Sequence, residues 1–484
     1  MKVKKLVADI DVLWNTSVLE ALSCCVELNA LSVDFDKKWF ENGRIASAMS
    51  KIADWCRQFA PMNSSIEILS DGVNEQGAPR TPLLCVDIPA THGCDKTAIL
   101  YGHIDVQPAD EKNWDHRRGL SPWKPVQIQD EDGHRLYGRG TADDDYAVFA
   151  AMTSILALEY QNIPHPRCVI LIESGEESGS PDMAYYLDRL KDRLGNPSLV
   201  VALDSGCGTY DRLWVTSSLR GTIVGILDLQ VLKHAVHSGL AGGVVPDTFR
   251  IARLLLEEIE DAQSGEILCG LTVPIPKSIV DQARVAAVAE GTQFLAQFPW
   301  INASSIAPSL EQLTELILDQ TWRPALAVAG IDGLDSVEHA GNVLRAGTRV
   351  KFSMRIPPTV DCEMAVNELR RAFSRVSVPE SVRVSLELHA RSGWVIPSLA
   401  PWFQRALDEA SHILFTDKAV LRGEGASIPL MTDLSTRYPE AQFLIVGVLG
   451  PQSNAHGPDE FLHVDYAKKI TASLALMLKA QAEG

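Results

Sequence analysis

Two histidines and several carboxylates fall where apolar runs of the chain end. TAILYG runs into His103-Ile104-Asp105, RLYGRGTA into Asp143-Asp144-Asp145, and CVILIESG into Glu176-Glu177. SLVVAL ends in Asp204, and FLIVGVLG is followed by Asn454-Ala455-His456. His103 and Asp105 are two apart on an extended segment, so both project to one face. That spacing lets a histidine ligate a metal while a nearby carboxylate takes the other ring N–H. Three consecutive carboxylates at 143–145 repel one another, and a bound dication offsets that repulsion. Adjacent glutamates suit two roles, one binding metal and its neighbour holding the attacking water. Singly, each group reads as a solvated pair, an acidic turn or a helix N-terminus. Together, histidine and carboxylate without cysteine thiolate suit a pair of Zn²⁺ or Mn²⁺ ions and hydrolysis. Such a centre activates water to hydroxide near neutral pH and polarises a scissile carbonyl, with one carboxylate as general base.

In an open α/β sheet, functional groups gather at the carboxyl ends of strands, and the remaining pattern supplies such a sheet. Short apolar runs at PLLCVDIP, TAILYGHID, CVILIESG and SLVVAL surround a stretch with helical spacing, ADDDYAVFAAMTSILALEYQ. Strands alternating with helices predict a largely parallel sheet. Ahead of it, Ile45, Met49, Ile52, Cys56 and Phe59 keep a helical rhythm up to Pro61. Near 213 the texture changes. LWVTSSLRGTIVGILDLQVL reads as one or two strands around Arg220–Gly221, RVKFSMRIPP and SVRVSLELHA alternate as strands, and TFRIARLLLEEIEDA and CEMAVNELRRAFSRV read as helices. After Pro397 helices and an apolar strand return. The expected architecture is an α/β catalytic domain in two parts, 1–212 and 398–484, interrupted by an α+β insert at 213–397.

Hydrophobic residues make up 46% of the 484 and charged residues 22%, a globular balance. With 44 basic and 62 acidic side chains the net charge is −18, which argues against nucleic acid or an anionic membrane surface as partner. Nine cysteines without a CxxC pair suggest reduced thiols in the cytoplasm. The basic start meets Asp9 and Asp11 before an apolar h-region forms, so no signal peptide is expected. The longest apolar runs, such as LVVAL, fall far short of the ~20 residues of a membrane helix.

YGHIDVQP, LYGRGTADDD, ESGEESGS, the strand-end Asp204, HSGLAGG and the late NAH together resemble the M20 family of metallopeptidases, most of all its branch of cytosolic nonspecific and carnosine dipeptidases. The resemblance implies that Asp143 bridges two divalent ions, with His103 and Asp204 completing one site and Glu177 and His456 the other. It implies that Asp105 orients His103 from behind, that Glu176 is the general base, and that a cis peptide joins Asp143 to Asp144. The insert then resembles the family's lid and dimerisation domain. His237 matches a histidine that reaches across a homodimer to polarise the carbonyl in the partner's site. Arg355 matches the arginine that binds the substrate's terminal carboxylate, a task suited to a bidentate fork. Asn342, His389 and Ser427 fall at further substrate contacts.

One departure stands at the centre of the pattern. The family's Asp-Asp-Lys-Gly is here Asp143-Asp144-Asp145-Tyr146, so a lysine and a glycine become a carboxylate and a ring. The expected activity is hydrolysis of dipeptides or short peptides with a free carboxylate. The alternatives are an amidohydrolase of N-acyl or N-carbamoyl amino acids and a non-catalytic binding relative. Retention of Glu176 and all five ligand positions weighs against the last.

Overall fold

The computed structural model describes residues 2–75, 77–302 and 307–484. Its main sheet has six strands in the order Ser65–Leu69, Leu83–Ile88, Arg167–Glu173, Thr97–His103, Leu199–Ala202 and Gln442–Ile445. The last four run parallel to one another, and the first two are antiparallel additions. Parallel strands are covered on both faces, which is why these runs are continuously apolar. In Thr97–His103, Ala98 and Leu100 join a cluster with the helices Arg44–Phe59, Ala147–Glu159 and Val464–Glu483. Ile99 and Tyr101 face the other way, against Met183–Arg189 and Pro429–Arg437. Ala147–Glu159 is apolar all round and is buried from Ala147 to Leu158.

The chain is already helical from Val3 to Leu28, earlier than its spacing near residues 45–59 suggested. Leu6, Ile10, Trp14, Val18 and Leu22 are all buried, each four residues after the last. A strict spacing of four drifts around a helix of about 3.6 residues per turn. The wide π turn at Trp14–Val18 takes up one extra residue and returns the series to the buried face.

LWVTSSLRGTIVGILDLQVL forms two strands in different sheets. Trp214–Leu219 pairs with Val420–Glu424 and Trp394–Val395, whereas Gly221–Gln230 enters a four-stranded antiparallel sheet with Ala325–Asp332, Gly347–Ile356 and Arg383–Arg391. One face of that sheet is covered by Thr248–Glu257 and Cys362–Ser374. Gly225 lets the Phe352 ring lie on its backbone, where any Cβ would strike it. Packing divides the expected insert 213–397. Trp214, Val215 and the buried faces of helices Lys277–Glu290 and Leu310–Thr321 belong to the large cluster of the catalytic side. The separate apolar core is confined to segments within 223–273 and 326–390. Both helices also contact the strand Val420–Glu424, on the side of that large cluster. Among the described residues no helix is long and apolar enough to cross a membrane.

Candidate active site

Three of the five chemical positions lie where parallel strands of the main sheet end. His103 closes Thr97–His103, Asp204 follows Leu199–Ala202, and Glu176-Glu177 form a short 3-10 turn after Arg167–Glu173. The other two differ from expectation. The strand in RLYGRGTA is Gly133–Tyr137, part of a separate three-stranded sheet, and a loop carries the chain from there to Asp143. His456 likewise stands in the long loop between Gln442–Ile445 and Phe461–His463. Strand geometry does not place these two, so another restraint must. Glu460 supplies it from 0% exposure: its Oε1 accepts the Gly140 and Ala142 N–H groups at 3.0 and 3.3 Å, and its Oε2 accepts from Arg139 Nη1 at 2.5 Å. Arg139 also donates to the Gly457 carbonyl at 3.0 Å. One buried ion pair thus ties the Asp143 loop to the His456 loop, and removing either partner would leave an uncompensated charge.

The five residues converge in two groups that share Asp143. His103, Asp143 and Asp204 can hold one divalent ion, and Asp143, Glu177 and His456 a second. His103 Nε2 lies 3.3 Å from Asp143 Oδ1 and 3.8 Å from Asp204 Oδ2. His456 Nε2 lies 2.9 Å from Asp143 Oδ2 and 3.0 Å from Glu177 Oε1. A neutral imidazole nitrogen aimed at carboxylates meets lone pair with lone pair, so a cation belongs between them. Two buried atoms, His103 Nε2 and Glu177 Oε1, have no hydrogen-bond partner and point at these gaps. The donors fit a pair of borderline or hard dications. Without metal, protons do that work. Burial alone would lower the His456 pKa, but Asp143 and Glu177 outweigh it and push it up to about 11. Burial raises the Asp143 carboxyl too, yet the facing imidazoles of His103 and His456 hold it below the usual range. Asp204, desolvated by burial, is pushed up to about 7.

Asp105 departs from its expected part. The His103 Nδ1–H donates to the Asp105 backbone carbonyl at 2.9 Å, and the nearer carboxylate oxygen stands at 3.6 Å. The carboxylate instead accepts the N–H groups of Glu176 and Glu177 at 3.1 and 3.0 Å. Main chain fixes the imidazole, and side chain fixes the turn carrying both glutamates. Gln107, which no spacing singled out, donates from Nε2 to Glu177 Oε2 at 2.8 Å and leaves Oε1 for the metal gap. Glu176 makes no such ligand contact. Burial and the neighbouring Asp204 raise its pKa well above the ordinary value.

The departure at 145–146 has a visible outcome. Asp145, which follows the cis peptide Asp143–Asp144 that the resemblance implies, is 2% exposed, with burial raising its pKa. The Tyr146 ring is fully buried, and its hydroxyl donates to the carbonyl of Leu203, the residue before Asp204. A glycine there would leave that carbonyl without this partner.

The candidate residues from the expected insert fall into two sets. His237 ends the first strand of a two-stranded ribbon, Val236–His237 against Val343–Leu344, and Asn342 directly precedes the second, where Ser238 N–H donates to the Asn342 carbonyl at 2.9 Å. His237 is exposed, and its Nδ1 accepts the Gly239 N–H at 3.0 Å, so the neutral ring carries its proton on Nε2 as a donor. Arg355 and His389 share the open face of the lid sheet, on rows Arg391–Thr222–Arg355 and His389–Val224–Ser353. Ser427 meets Arg355 directly, accepting from its Nη1 at 3.0 Å.

A family model described as Peptidase family M20/M25/M40 matches residues 99–480. The chain is 25% identical over 375 residues to a cysteinylglycine-S-conjugate dipeptidase of Corynebacterium striatum, covering 75% of this chain and 76% of that protein. It is 25% identical over 417 residues to the beta-Ala-His dipeptidase of Homo sapiens, covering 79% and 74%. The solved structure of a di-peptidase from Saccharomyces cerevisiae shares the fold with a TM-score of 0.79 at 21% identity, covering 100% of this chain and 99% of that one. The family match begins in the strand that delivers His103, runs into the last helix, and takes in all five residues of the two metal groups; this chain belongs to peptidase family M20/M25/M40.

Proposed function

We propose that the chain is a dipeptidase that works with two divalent ions, zinc or manganese, and requires a free carboxylate on its substrate. The observation that carries this reading is the sharing of Asp143, one oxygen toward His103 and the other toward His456. His103, Asp143 and Asp204 would hold one ion, and Asp143, Glu177 and His456 the other. Bound there, the pair would supply Lewis acidity to the scissile carbonyl and lower the pKa of the attacking water. Glu176 takes the water's proton and delivers it to the leaving amine, a role suited to a buried carboxyl with raised proton affinity. Asp105 keeps Glu176 and Glu177 in register through their N–H groups. Arg355 receives the terminal carboxylate, held in place by Ser427, and Asn342 and His389 provide further contacts. The dipeptidase names of the two similar curated proteins agree with a substrate of this size.

The test is hydrolysis of dipeptides, tripeptides and N-acetyl amino acids by metal-stripped protein with and without added Zn²⁺ or Mn²⁺. Metal-dependent cleavage confined to dipeptides is expected. Cleavage of only the acylated compounds would make the chain an amidohydrolase, and no turnover with two ions bound would leave a binding role.

His237 is exposed on its ribbon with an Nε2 donor to offer, and we read it as serving the site of a second copy in a homodimer. A His237→Ala chain and a Glu176→Gln chain should each be nearly inactive alone. Mixed, they should recover up to about a quarter of wild-type activity, because half the sites occur in heterodimers and one of each heterodimer's two sites is intact. Confirmed heterodimers without recovery would refute the exchange.

A further inference from the structure

Arg220 is the single residue between Trp214–Leu219, in a sheet of the catalytic side, and Gly221–Gln230, in the lid sheet. A residue at such a crossing would ordinarily be a small or flexible turn former. This one is a guanidinium at 8% exposure, with its donors on main-chain carbonyls: Nε to Gly425 at 3.1 Å, and Nη1 to Asp319 at 3.3 Å and Arg323 at 3.0 Å. The last two acceptors lie at the carboxyl end of helix Leu310–Thr321, where carbonyls lack helical partners and the dipole favours a cation. These bonds fix the Arg220 main chain, and that main chain is in turn used. Its carbonyl accepts the Ser427 hydroxyl at 2.6 Å, and the Ser427 oxygen accepts from Arg355 Nη1 at 3.0 Å. The hydroxyl proton is therefore committed to Arg220, which turns the serine lone pairs toward Arg355. A chain running one way, guanidinium to hydroxyl to carbonyl, polarises each member.

Charge adds to this geometry. Among the described residues neither Arg220 nor Arg355 has a carboxylate in ion-pair contact. Burial lowers the pKa of both, and the proximity of Arg355 adds to the effect on Arg220, which falls to about 10. Glu424 offsets part of this, but it also faces Arg422 at 3.5 Å. Two buried like charges lack a close counter-ion, and an incoming anion gains from both.

We propose that Arg220 is a positioning residue for recognition of the substrate's carboxylate, holding the Ser427 hydroxyl that aims Arg355 and lending a second buried positive charge behind it. The inference rests on the reading that Arg355 meets that carboxylate. It separates Arg220 from a hinge residue of purely mechanical importance, which would affect every substrate alike.

The experiment compares a dipeptide that the wild type hydrolyses with its C-terminal amide, measuring kcat and KM, or an inhibition constant where the amide is not turned over. Wild type should prefer the acid, and Arg355→Met should lose that preference. Arg220→Met should raise KM for the acid about ten-fold, the equivalent of ~1.4 kcal/mol, and leave kcat and the amide's constants nearly unchanged. Arg220→Lys, which keeps the charge, should recover part of the loss. Ser427→Ala keeps both arginines and removes only the relay, so it reads the same link should Arg220→Met fail to fold. It should raise KM for the acid several-fold more than for the amide. Equal losses on acid and amide in both variants, or an acid preference retained in Arg220→Met and Ser427→Ala, would overturn the role of Arg220. Absence of any acid preference in the wild type would instead overturn the carboxylate reading itself.

Discussion

Glu176→Gln should lower kcat by about 10³-fold, within the 10²–10⁴ range of a general base, while the protein still binds its full complement of metal. The substitution keeps size and shape and removes only the ability to take a proton. Glu176 is not among the side chains that converge on the two metal gaps, and its N–H, held by Asp105 at 3.1 Å, survives the change. Glu177, the adjacent ligand, keeps its own N–H bond to Asp105 and its Gln107 contact. A loss of turnover with metal content intact therefore isolates proton transfer. The checks are kcat on a cleaved dipeptide and metal per chain by atomic absorption. Rates within ten-fold of wild type would assign the base to another group, and loss of metal would show that Glu176 is a ligand.

The same residues show what a sequence can and cannot disclose. His103, Glu176-Glu177 and Asp204 were legible because each follows an apolar run, and parallel strands deliver their carboxyl ends to one edge of the sheet. Asp143 and His456 were also read as following strands, but neither stands at a strand end. What places them is the Arg139–Glu460 pair, whose partners are far apart in the chain and carry no spacing signal. Asp105 illustrates a finer limit. Its two-residue spacing from His103 correctly put it beside the imidazole, but whether carbonyl or carboxylate takes the ring proton depends on where the Glu176 turn passes, a tertiary fact. Tyr146 was visible as a departure, and its bond to the carbonyl before Asp204 was not, because that needs the start of helix Ala147–Glu159 beside the end of strand Leu199–Ala202. The segment 213–397 was expected as one insert, yet helices Lys277–Glu290 and Leu310–Thr321 pack with the large cluster that also holds the main sheet. Amphipathic helices declare that they bury a face but not against which sheet.

Asp143→Ala should abolish binding at both metal positions and with it all turnover, whereas Asp204→Ala should remove one ion and leave the other. The asymmetry follows from the geometry. Asp204 belongs to the group around His103 alone, but Asp143 Oδ1 serves that group and Oδ2 serves the group around His456. Without Asp143 each group keeps one histidine and one carboxylate, too few to compete with water for a dication that prefers three or four protein ligands. Calorimetric titration of metal-stripped protein should give two ions for wild type, one for Asp204→Ala and none for Asp143→Ala at micromolar metal. Two ions retained in Asp143→Ala would refute the bridging role. The wild-type titration carries a second signature. Below its raised pKa of about 11, His456 binds a proton where the metal must enter, and below about 7 Asp204 binds one too. Uptake must therefore expel protons, and each one displaced lowers apparent affinity about ten-fold per pH unit of acidification. The slope of log affinity against pH should steepen as pH falls through about 7, when the Asp204 proton joins the count.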